Sequence, residues 1–145
     1  MQINLKIKLG IIFLVFILSS GCLLRYKDVS SEPEYNFLLG TRYTLVTNML
    51  IYGVNLPPGY GKEINVYIIT PDIAGMTGPE IIVKDHLHLG TILKIQSVRK
   101  SVNHLPGWQS IEAIVLEDSY TKNKDIPVVI DLKYIQSTNY MRRLE

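Results

Sequence analysis

The stretch IPVVIDLK, residues 126–133, carries the cleanest two-residue period in the chain. Ile126, Val128, Ile130 and Leu132 alternate with Pro127, Val129, Asp131 and Lys133, the spacing of a strand that turns one face to a core. The same signal recurs upstream. Residues 108–117 (WQSIEAIVLE) place Ile111, Ala113 and Val115 on one face, and residues 91–99 (TILKIQSVR) set Leu93 and Ile95 against Lys94 and Gln96. In residues 63–70 (EINVYIIT), Ile64, Val66 and Ile68 share a face. Residues 41–52 (TRYTLVTNMLIY) are β-branched and aromatic, but the apolar phase changes from Tyr43 and Leu45 to Val46, Leu50 and Tyr52. A bulge or sharp bend near Thr47 and Asn48 accommodates that change.

Turn chemistry separates these runs. Residues 56–61 (LPPGYG) and 71–79 (PDIAGMTGP) are loops by composition, and Lys122, Asn123, Lys124 and Asp125 form a polar turn. No ten-residue stretch after Leu39 has a helical period. Five or six short strands in about 95 residues fit a small barrel better than a sandwich, and closure removes exposed edges.

The chain's beginning is of a different kind. Lys6 and Lys8 precede ten apolar residues, 9–18 (LGIIFLVFIL), and the small residues Ser19, Ser20 and Gly21 precede Cys22. This is the layout of a secretory signal peptide, charged, then apolar, then a cleavage site. The apolar run is half of the roughly 20 residues needed to span a bilayer. Ser19, Ser20, Gly21 and Cys22 resemble the lipobox of bacterial lipoproteins, although that family usually has Leu, Val or Ile where Ser19 stands. The resemblance implies cleavage between Gly21 and Cys22 and a covalent lipid on Cys22 as the only attached group. It further implies a place in the cell envelope, on the outer membrane facing the periplasm if the cell is Gram-negative. Cys22 is the only cysteine, so no internal disulfide forms and lipidation gives the thiol a purpose.

Loss of residues 1–21 leaves 124 residues, one domain's worth. Lys6 and Lys8 leave with them, so the fifteen basic residues become thirteen, equal to the thirteen acidic ones. A near-neutral chain lacks the electrostatic footprint of a nucleic-acid binder. The expected organisation is a signal peptide over 1–21, a lipidated cysteine and flexible tether over 22–39, a small β domain over 40–137 and a frayed tail over 138–145. A tether of that length reaches about 20 Å.

Leu87, Gly90, Thr91, Leu93, Ile95 and Val98, followed by Gly107, Trp108, Ile111 and Ala113, resemble the centre of a bacterial SH3-like barrel. The resemblance covers about thirty residues and implies a mainly β, five- to six-stranded SH3-like barrel with a binding or spacer role. The OB-like barrel is the alternative with the same number of strands.

Candidate chemistry is sparse. His86 and His88 share a face if both lie on a strand, and with His104 they could hold a zinc ion, yet no further fixed ligand accompanies them. Ser110 lacks the Gly-x-Ser-x-Gly elbow, and Glu117 and Asp118 point to opposite sides of a strand, so no catalytic set emerges. Tyr60, Met76 and Trp108, on or beside Pro/Gly-rich turns, are the expected contacts for a partner. The expectation is a non-enzymatic, lipid-anchored envelope protein that binds or scaffolds another envelope protein or a wall polymer through its loops. The alternative is a periplasmic inhibitor or immunity lipoprotein blocking a toxin or hydrolase. A weak metal-binding role for the histidines is third.

Overall fold

The computed structural model describes residues 26–56, 63–71, 77–102, 110–116 and 126–144. Of the expected site residues, Gly21, Cys22, Tyr60, Met76, His104 and Trp108 lie outside these. The described chain is mainly β, with strands β1 (Tyr26–Asp28), β2 (Arg42–Leu45), β3 (Met49–Val54), β4 (Val66–Pro71), β5 (Ile81–Leu87), β6 (Ile92–Ser101), β7 (Ile111–Leu116), β8 (Val128–Asp131) and β9 (Met141–Leu144). A 3-10 turn spans Asn36–Leu38, and a single helical turn, α1, spans Leu132–Ile135.

The strands form one sheet in the order β5-β3-β4-β8-β7-β6-β2-β9, with β1 added on β6. Neighbours are antiparallel except β4 and β8, which run parallel. The expected phase change falls in the break between β2 and β3. Met49 faces Leu87 and Thr44 faces Ile92, so five residues back on one chain match five forward on the other. One ribbon therefore turns a corner, with both of its chains bending together. At that corner the Leu45 N–H donates to the Thr91 carbonyl (2.9 Å) and the Gly90 N–H to the Leu45 carbonyl (2.9 Å). The Asn48 side chain accepts from the Leu89 N–H at 2.8 Å. Gly90 has φ of +89°, a conformation that a side chain at this position would oppose.

The bent ribbon folds the sheet over one core. Met49, Ile51, Ile69, Leu93, Ile95, Val98, Ala113, Val115, Val128 and Ile130 meet there. In β6 the inward phase passes from Leu93 and Ile95 to Val98 through a register shift between Ile95 and Ser97. Strand β3 is buried on both faces, because its even residues Leu50, Tyr52 and Val54 join Val66 and Val129 in a second, smaller cluster. Leu87, Leu93, Ile95, Val98 and Ala113, which carried the likeness to an SH3-like barrel, are all in the main core.

Four expectations are corrected. The sheet is not closed into a barrel, since its hydrogen-bonded path begins at β5 and ends at β9. Among the described residues it has nine strands rather than five or six, because the stretch 41–52 breaks where it bends and both ends of the described chain add a strand. From Tyr26 onward the expected tether is folded. Residues of β1 pair with Arg99, Lys100 and Ser101, while Val29, Tyr35 and Leu38 are buried in the core. The Val29 N–H donates to the Val98 carbonyl (2.9 Å), and the Ser30 hydroxyl accepts from the Val98 N–H (2.8 Å). The expected frayed tail is also ordered. Asp131 ends β8 by capping α1, its carboxylate accepting from the Lys133 N–H at 2.9 Å. Tyr134 and Tyr140 then meet edge to face at 5.4 Å and β9 pairs with β2.

One polar cluster fastens β1. The Arg99 guanidinium lies 4.0 Å from the Tyr26 ring, and its Nε and Nη2 both donate to Glu112 Oε2, at 3.0 and 2.9 Å. The Tyr26 hydroxyl donates to Glu112 Oε1 at 3.2 Å. Partial burial, and after it the Glu112 charge, raise the Tyr26 phenol above its ordinary pKa. That contribution is complete below the ordinary value and is lost as pH rises through the raised one. Glu112→Ala strands a guanidinium whose side chain is only 19% exposed and is expected to cost about 2 kcal/mol. Replacing Arg99 by Met and Glu112 by Leu together should recover most of that loss in urea unfolding. A double variant weaker than the single one would mean that the ion pair itself is strongly stabilising.

Candidate functional site

Among the described residues lies an open groove of about 580 Å³. Its floor and walls come from four places: the 3-10 turn (Phe37, Leu38), β2 and the corner after it (Tyr43, Val46), the end of α1 (Ile135, Gln136, Thr138) and β9 (Met141, Arg142, Arg143). Local sequence explains the arrangement. Tyr35 and Leu38, three apart in the turn, both point into the core, which leaves Phe37 outside at 56% exposure. Leu132 and Ile135 bury one side of α1 in the same way, leaving Gln136 at its exposed end.

The groove's electrostatics come from β9. Met141 lies opposite Leu45 and Arg143 opposite Tyr43, so their side chains share the core-side face of the sheet, Met141 buried and Arg143 at the rim. Arg142 lies opposite Thr44, and Arg42 lies opposite both Leu144 and Lys94. The ion pairs among the described residues are Lys27–Glu32, Arg99–Glu112 and Lys133–Asp131. Neither Arg142 nor Arg143 is in one. The groove thus joins an apolar floor to the exposed Arg143, with the exposed Arg142 beside it in the lining and no described carboxylate paired with either, a combination suited to a ligand with an apolar body and an anionic group.

The expected site residues are distributed differently. His86 lies on β5 opposite Leu50, and His88 stands beyond the end of that strand in the corner turn. Both are exposed, and among the described residues no three His, Cys, Asp or Glu side chains are gathered as metal ligands. β5 is the other edge of the sheet, where Lys84 and Asp85 put charge along a strand that also exposes Ile82 and Val83. Lys84 Nζ stands 5.8 Å from the Tyr52 ring on the second face. Phe37, Arg142 and Arg143 were not among the expected contacts. Pairing of residues 141–144 with β2 gives them their position, and the nearest local signal is Met141 and Leu144 standing either side of the two arginines.

No helix among the described residues is long and apolar enough to cross a membrane. Comparison of the chain with protein-family models, with curated proteins and with solved structures found no match.

Proposed function

We propose that this is a lipid-anchored protein of the bacterial cell envelope, without enzymatic activity, which binds another envelope component through the groove beside β9. The charged-apolar-small pattern ahead of Cys22 supports the anchor. Each acyl methylene buried contributes about 0.8 kcal/mol, so the two chains of a diacylglyceryl group on the Cys22 sulfur hold a domain to a leaflet. The observation that carries the binding role is the pair of arginines lining an apolar groove with no acidic partner among the described residues.

The folded N-terminal segment changes how such an anchor would work. Cys22 is only four residue steps from Tyr26, the first residue of β1. That length spans at most about 14 Å. The body would then rest near the head groups, with the β1 end of the sheet closest to them, instead of moving on a long tether.

A photo-crosslinking side chain at the exposed Thr138, which lines the groove, tests the binding role in intact cells. The expected result is a discrete adduct in the membrane fraction that disappears in the Cys22→Ser chain. An identical adduct from a chain with no anchor would separate binding from localisation and contradict the combined reading.

A further inference from the structure

Among the described residues nothing pairs with the outer edge of β9, the last strand of the sheet path. The Val46 N–H donates to the Tyr140 carbonyl at 2.9 Å, which sets the phase of the ladder. In an antiparallel pair bonded and non-bonded positions alternate, so Arg142 and Leu144 direct their backbone groups to β2, while Met141 and Arg143 direct theirs outward. The Met141 N–H is used by the Ser137 carbonyl at 3.0 Å. The Met141 carbonyl and both backbone groups of Arg143 remain on the edge, and the side chains of these two residues line the groove.

Resting on the binding role above, we propose that the occupant is an extended segment of a partner protein that adds to the sheet as a strand beyond β9. Its residue opposite Arg143 exchanges both backbone hydrogen bonds and carries Asp or Glu on the groove side. A residue two places along, opposite Met141, is apolar and extends over the groove. Charge argues against a second copy, because two β9 strands side by side would set Arg142 and Arg143 against their own images, and like charges across a ladder are destabilising.

The test is selection of displayed random seven-residue peptides on the full chain and on its Arg143→Glu variant, with circular dichroism confirming that the variant is folded. The expected outcome is enrichment of peptides with an acidic residue and an apolar residue two places away. The variant should bind them at least tenfold more weakly and select Lys or Arg at the acidic position instead. N-methylation of the acidic residue's amide, which leaves the protein untouched, should abolish binding. The proposal is overturned by no enrichment, by enrichment indifferent to Arg143→Glu, or by N-methylated peptides that bind as well as their parents. Pelleting with phosphatidylglycerol vesicles that Arg143→Glu abolishes would assign the arginines to lipid and overturn it equally. None of these outcomes depends on Cys22, so failure here is distinguishable from failure of the anchor.

Discussion

A chain that begins at Gly40 is expected not to fold. The fourteen residues from Tyr26 to Leu39 contribute Val29, Tyr35 and Leu38 to the main core, each no more than 5% exposed. Burial of such side chains is worth about 1.5–3 kcal/mol apiece, so the segment contributes on the order of 5–8 kcal/mol. The whole margin of a domain this size is only about 5–15 kcal/mol. Deletion also uncovers the edge of β6 that β1 occupies and removes the ring that stacks on Arg99. A chain starting at residue 23 should show dispersed amide signals and a cooperative transition, and one starting at Gly40 should show neither. Equal stability of the two would restore the tether reading and contradict the packing described here.

Ile130→Ala has the next largest expected effect. Ile130 lies on β8 with no exposure, facing Ala113 on one side and Ile69 on the other. Ladders on both sides keep the backbone from closing the space, and Ala113 has only a methyl group to offer. The expected loss is about 3–4 kcal/mol, read as a lower midpoint in urea at unchanged slope. Ile92→Ala, on a strand of the same sheet but at a position 52% exposed, should change stability by no more than about 0.5 kcal/mol. Similar losses at both positions would mean that the core is not where the two-residue period places it.

The parts of the fold readable in sequence were those whose signal is local. The alternation through Val128 and Ile130, the facing of Leu93 and Ile95, and the bend at Thr47 and Asn48 each follow from the period of two or its interruption. What escaped depends on partners far away in the chain. The segment 26–39 is polar enough to read as a linker because its apolar residues, Val29, Tyr35 and Leu38, are widely spaced, and β1 is held by pairing with β6 rather than by its own pattern. Strand β9 is too short to show a period and holds two arginines, so only β2 reveals it as a strand. The groove was invisible for the same reason, since it is assembled from segments 36–46 and 135–143, nearly a hundred residues apart. The alternation located most of the strands, but a local pattern does not tell whether the two ends of a curled sheet join.

We propose that the acyl chains of a lipid on Cys22 fix this molecule at a membrane and that the folded body works there by contact. Growth of cells with a clickable fatty acid, followed by capture of the full chain and of its Cys22→Ser variant, is the decisive measurement. The native chain is expected to be labelled and to sediment with membranes, and the variant to be unlabelled and released. A native chain that takes up no label, or a variant that still sediments with membranes, would contradict it.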